Sequence, residues 1–158
     1  QMKLKICLFF ALLSLNFYKS QSLNYKLIEK INNTEYIYYD TVLIDGYGFK
    51  KLEKEKIIDD GVAYSFKYFS SSTISNRLQI SILKDKTLTK PMIIINFGGN
   101  ISIENFKTEL LVNGYEFNGE KKLSNISFFV YEANNKIIAI SKNANEYGVR
   151  QIMYIPKQ

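Results

Sequence analysis

The chain has 158 residues, a formal net charge of +6, no histidine and a single cysteine, Cys7. Without histidine it has no Ser-His or Cys-His nucleophile and no imidazole base, and with one thiol it lacks the ligand sets that zinc, copper and iron prefer. Arg77 and Arg150 are its only arginines; bidentate reading of phosphates or guanines favours arginine, so nucleic acid is not an expected partner.

The chain opens QMKLKICLFFALLSLNFYKSQS, with Lys3 and Lys5 ahead of an apolar run from Ile6 to Phe17 and the small residues Ser20 and Ser22 behind it. This pattern, spanning 1–22, reads as a secretory signal peptide. An apolar run of that length covers roughly 18 Å as a helix, against a hydrocarbon core of roughly 30 Å, so no transmembrane anchor is expected in the mature chain. Losing Lys3, Lys5 and Lys19 leaves residues 23–158 with a charge of about +3 and no cysteine, enough chain for one domain. Export without a disulfide framework suits a bacterial periplasm or the surrounding medium.

LNYKLIEKI, 23–31, fits an amphipathic helix or a strand. EYIYYDTVLI, 35–44, is dense in β-branched and aromatic residues, which favours a strand, and with NNT between them the two segments are expected to form a hairpin. A possible repeat argues otherwise. LIDGYGF at 43–49 resembles LVNGYEF at 111–117, and a duplicated chain would make 34–45 helical like the helix expected at 102–113. Propensity is preferred over the repeat.

KKLEKEK, 50–56, mixes its signs and reads as a solvated face. Asp59-Asp60 stand beside Gly61, a turn composition rather than a paired-carboxylate centre for glycoside hydrolysis. No run of alternating oxygen ligands around a glycine suits calcium. GVAYSFKYF, 61–69, alternates Val62, Tyr64, Phe66 and Tyr68 with Ala63, Ser65 and Lys67; RLQISILK, 77–84, alternates Leu78, Ile80 and Ile82 with Arg77, Gln79 and Ser81. In both strands the apolar set is expected in the core, and SSSTISN between them is expected to be a hairpin loop.

IIINFGGNISIENF, 93–106, has the strand, glycine turn and helix layout that holds phosphate. It lacks the spaced glycines of a dinucleotide fingerprint and the Lys-Ser/Thr pair of a P-loop. Gly98-Gly99 are therefore expected only to turn an inner strand into a packed helix. In that helix, 102–113, Ser102 caps the amino end and Asn113-Gly114 close the carboxyl end. Ile103, Phe106, Leu110 and Leu111 form its apolar face, and Glu109 is expected outside. In YEFNGEKKL, 115–123, Asn118-Gly119 is a strong hairpin signal. NISFFVYE and KIIAISK, 125–132 and 136–142, joined by ANN, form a further hairpin, and YGVRQIMYI, 147–155, is a last strand ended by Pro156.

The expected fold is a single α+β domain at 23–158. Its mostly antiparallel, curled β-sheet of eight to ten strands packs on one main helix at about 102–113. With so few catalytic groups, the chain reads as an exported, non-catalytic binding protein with a protein or glycan partner and no cofactor or metal. A periplasmic carrier of a lipid or other apolar ligand in a curved-sheet cavity is the alternative, and a hydrolase using carboxylates alone the next. The candidate binding residues are Tyr36, Tyr38 and Tyr39. On a strand, Tyr36 and Tyr38 share one face and Ile37 and Tyr39 the other, which leaves a tyrosine face for contact.

Overall fold

Asn24 starts the first element. Its backbone is extended and its side chain accepts the Leu27 amide hydrogen at 2.8 Å, which satisfies one of the orphan donors of a helix start. Helix α1 (Tyr25–Asn32) follows, burying Leu27, Ile28 and Ile31 along one face. In the computed structural model, which describes residues 22–52, 64–71, 76–85, 90–99 and 101–157, the chain continues as a 3-10 turn at Tyr36–Tyr38 and a π-helical stretch at Thr41–Gly46. The segment 23–45 is thus helical and not the expected hairpin. Tyr39 and Leu43, four residues apart, are both fully buried, as are Leu27 and Ile31. That spacing is helical, and burial at that spacing outweighs the β preference of Tyr, Ile, Thr and Val.

The strands are β1 (Lys50–Leu52), β2 (Tyr64–Ser70), β3 (Asn76–Asp85) and β4 (Met92–Gly99), then, after helix α2 (Ile103–Val112), β5 (Glu116–Leu123), β6 (Ile126–Ala133), β7 (Lys136–Ser141) and β8 (Arg150–Pro156). They form one open, curled antiparallel sheet in the order β1-β2-β3-β4-β8-β7-β6-β5, an α+β fold with α2 as its main helix. A helical segment followed by a four-stranded meander occurs twice, and the two meanders meet where β4 pairs with β8. LIDGYGF and LVNGYEF occupy matching places, each running from the end of a helical segment to the edge of, or into, the first strand of its half. The repeat that propensity outweighed is the one the topology displays.

The core lies between the sheet and the helices. One cross-strand row joins Ile82, Ile93, Tyr154, Ile138 and Tyr131; the next joins Phe69, Ile80, Ile95, Ile152 and Ile140. Leu27, Ile28, Ile31, Tyr39, Leu43, Phe106 and Leu110 pack onto these rows in one buried cluster. The face expected for β3 is the buried one. On β2 the parity is reversed: Lys67 and Phe69 are buried, opposite Ile82 and Ile80. Lys67 tolerates this because Asp40 lies 3.0 Å from its ammonium, and a buried cation requires such a partner.

Helix α2 has the expected ends. Ser102 accepts the Asn105 amide hydrogen at 3.3 Å, and Gly114 takes a φ of +83° just past the last turn, a conformation glycine adopts without strain. Its buried face is narrower than expected, however. Phe106 and Leu110 are buried while Leu111 is exposed, and Glu109 is only partly exposed.

Asn118-Gly119 is no hairpin turn. β5 runs through it, and the register slips so that these two residues stand opposite Val130 between the Phe117–Tyr131 and Glu120–Phe129 pairs. This is a β-bulge, with Gly119 supplying a φ of +80°. The hairpin turns at Ser124-Asn125 instead, where Ser124 has a φ of +54°. Asn134-Asn135 joins β6 to β7 as expected. Residues 1–21 of the proposed leader (1–22), most of KKLEKEK, Asp59-Asp60-Gly61 and residues 72–75 of the SSSTISN loop lie outside the described residues. Among the described residues, no helix is long and apolar enough to cross a membrane.

Candidate functional site

The 3-10 turn redistributes the three candidate tyrosines. Helical spacing brings Tyr36 and Tyr39 together, their rings edge to face at 5.8 Å and 89°, while Ile37 and Tyr38 project outward, 67% and 54% exposed. Tyr39 belongs to the core, Tyr36 is half-buried at its margin, and Tyr38 meets solvent. The pairing expected of a strand, Tyr36 with Tyr38, is replaced by Tyr36 with Tyr39.

This turn forms one wall of a cleft of about 430 Å³, lined by residues 32–37 together with Lys84 near the end of β3, and Lys90 and Pro91 just before β4. The Lys67 and Lys84 ammonium groups lie 5.0 and 5.6 Å from the centroid of the Tyr36 ring, within range of cation–π attraction. Asp40 bridges Lys51 at 2.8 Å and Lys67 at 3.0 Å. Partial burial opposes its ionisation, but the hydrogen bonds and charges of the two lysines outweigh burial and hold its carboxyl below the usual range. Lys67 is thereby neutralised. Among the residues whose side chains are described, no carboxylate pairs with Lys84 or Lys90, and Glu35, which also lines the cleft, is paired with neither.

Polar groups are also buried behind this lining. Asn32 is 4% exposed, and its Oδ1 has no partner among the described residues; the hydroxyls of Tyr39 and Tyr154 share that condition. Burial pushes the Tyr154 phenol up to about 12, reinforced by Tyr25 and Glu29, with the adjacent Asn32 amide pulling the other way. Burial, with Tyr36 and Tyr154 nearby, raises Tyr39 further. Both phenols therefore stay protonated as donors at neutral pH. The arrangement offers cations, an aromatic ring and an unsatisfied acceptor. That set suits a polar ligand and, among the described residues, pairs no nucleophile with a base.

A second depression, of about 340 Å³, lies over the ends of β4, β7 and β8. Its polar groups largely satisfy one another. Gln151 Nε2 donates to Asn96 Oδ1 at 3.2 Å, Arg150 Nη1 to the Lys142 carbonyl at 2.7 Å, and Asn145 Oδ1 accepts from the Tyr147 and Val149 amides. Among the described residues, no group of three or more His, Cys, Asp or Glu is placed to hold a metal ion. The sequence singled out Tyr36, Tyr38 and Tyr39 but missed Lys84, Lys90 and Asn32. Pairing of β3 with β4 brings the two lysines to one end of the sheet, beside residues 32–37, and no local pattern in the chain encodes that approach. No protein-family model, curated protein or solved structure matches the chain.

Proposed function

We propose that this chain is a non-catalytic binding protein, exported to a bacterial envelope or its surroundings, that engages a protein or glycan partner through the Ile37–Tyr38 turn and the cleft beside it. One observation carries the reading. Two large apolar side chains stand more than half exposed on a turn fixed from beneath by the Tyr36–Tyr39 contact. An exposed aromatic held on a rigid support loses little entropy on binding, which is how contact surfaces use tyrosine. The leader-like pattern at 1–22 supports export, and the lack of histidine supports a role without catalysis. The placement of Phe69, Phe97, Phe106 and Tyr115 in the continuous core favours a surface over an apolar hollow for a carried lipid.

The test is capture from an envelope extract by the wild-type protein and by an Ile37→Ser/Tyr38→Ser variant. Both side chains are exposed, so the urea midpoint should barely move, while capture of the partner should weaken by roughly tenfold or more. Undiminished capture by a folded variant would remove this surface from the function.

A further inference from the structure

We propose that the second depression, at the opposite end of β4 from the Lys84 cleft, is a separate site for a neutral saccharide, with one sugar hydroxyl shared between Asn96 and Gln151. It includes neither Ile37 nor Tyr38 and does not depend on the reading above.

Sheet register builds its floor. Pairing of β4 with β8 sets Asn96 opposite Gln151. Their neighbours Ile95 and Ile152 enter the core beneath the helices, so the two amides stand on the other face of the sheet. Gln151 is held twice: its backbone amide donates to Ser141 Oγ at 2.8 Å, and Nε2 donates to Asn96 Oδ1 at 3.2 Å. Ser141 is itself only 3% exposed, which makes the support rigid. The rim is fixed as well, because Asn145 Oδ1 holds the Tyr147 and Val149 amides. Groups ordered in advance cost less to organise around a ligand.

What these bonds leave over selects the ligand. Each side-chain amide carries one acceptor oxygen and one donor nitrogen. With Asn96 Oδ1 and Gln151 Nε2 bonded to each other, Asn96 Nδ2 remains a donor and Gln151 Oε1 an acceptor. Among the described residues neither atom has a partner, and neither is buried. A hydroxyl accepts and donates through one oxygen, so a single hydroxyl serves both. A carboxylate oxygen only accepts and an ammonium only donates. The lining contains no Asp, Glu or Lys, so no ion pair dictates the choice. Arg150, its one charged residue, directs Nη1 to the Lys142 carbonyl at 2.7 Å. Ile126, Ala144 and Val149 supply apolar surface for the C–H faces of a sugar ring. The volume of about 340 Å³ lies within the usual range for small-ligand sites, roughly 300–1,000 Å³.

The experiment probes an array of neutral and acidic oligosaccharides with the mature chain, then titrates the tightest neutral oligosaccharide by heteronuclear NMR. Neutral glycans should bind in preference to acidic ones, and the titration should shift Asn96, Asn145 and Gln151. Asn96→Asp keeps the size of the side chain and the acceptor for Gln151 Nε2, and removes only the donor offered to the ligand. It should leave the urea midpoint nearly unchanged and weaken glycan binding by roughly tenfold or more. Binding to no neutral glycan overturns the site, and a preference for acidic glycans overturns the ligand class. Unchanged affinity in Asn96→Asp overturns the hydroxyl contact, and shifts confined to Tyr36 and Lys84 place the glycan in the other cleft. The Ile37→Ser/Tyr38→Ser variant separates this inference from the reading above. If that variant loses partner capture while the wild type binds no neutral glycan, this inference fails and the turn stands. If glycan binding behaves as expected while capture ignores Ile37 and Tyr38, the turn fails and this site stands.

Discussion

Glu109 has a role set by a residue far away in the sequence. Its Oε2 accepts the Tyr25 amide hydrogen at 2.6 Å across 84 residues of chain. That amide is one of the orphan donors in the first turn of α1, where a carboxylate also complements the helix dipole. Position within its own helix made Glu109 look like a residue of the exposed side, because a helical wheel describes faces and not partners on another helix. Glu109→Ala should therefore lower stability by about 1.5 kcal/mol, the lower end for a hydrogen bond to a charged group. Leu111→Ala, at 53% exposure, should change it by no more than about 0.5 kcal/mol despite its apolar character. Urea melts of the two variants test this directly, and similar small losses in both would mean that the interhelical bond contributes nothing. Lys67 was hidden for the same reason: nothing near it in sequence announces that Asp40, 27 residues earlier, will neutralise it in a buried row.

Elements were legible where their pattern was local. Ser102, Asn113 and Gly114 bound α2 by capping alone, and the period-two pattern of Leu78, Ile80 and Ile82 placed β3 on its correct face. Two elements misled. The aromatic and β-branched residues of 35–44 favour a strand intrinsically, and only the burial of Tyr39 and Leu43 beneath one helical face reverses that. Asn118-Gly119 carries the positive-φ preference of a hairpin turn, yet a bulge needs the same backbone, so sequence distinguishes the two poorly. The bulge makes its own prediction. A methyl group at Gly119 would meet nothing within 4 Å, so Gly119→Ala should cost only the left-handed backbone, about 1–2 kcal/mol. Ser124→Gly, at the true turn with a φ of +54°, should stabilise by up to about 1 kcal/mol. A turn at Asn118-Gly119 would place no such demand on Ser124, and Ser124→Gly would then be neutral or destabilising in the same melts.

At the scale of the molecule, each half repeats the plan of a helical segment followed by four strands, yet the core belongs to neither half alone. β4 and β8 pair through Ile93–Tyr154 and Ile95–Ile152, and all four side chains are buried. Asn32 and Tyr39 from the first half lie beside Tyr154 from the second, and Glu109 from the second half secures the start of α1 in the first. A separated half would expose its seam strand as an apolar edge and lose these contacts. Each half is also near or below the size, roughly 70–80 residues, at which one hydrophobic core becomes self-sufficient. Fragments 22–100 and 101–158 should therefore be unfolded when alone, by far-ultraviolet circular dichroism and amide exchange. Mixed together, they should recover the native spectrum, and the slowest-exchanging amides should lie in β4 and β8, where each supplies what the other lacks. Ile95→Ala in the first fragment should weaken that recombination, because it opens a cavity at the seam without changing either fragment's local signals. A fragment that folds alone, with its own four strands protected from exchange, would show that the seam joins two finished domains and does not complete a single one.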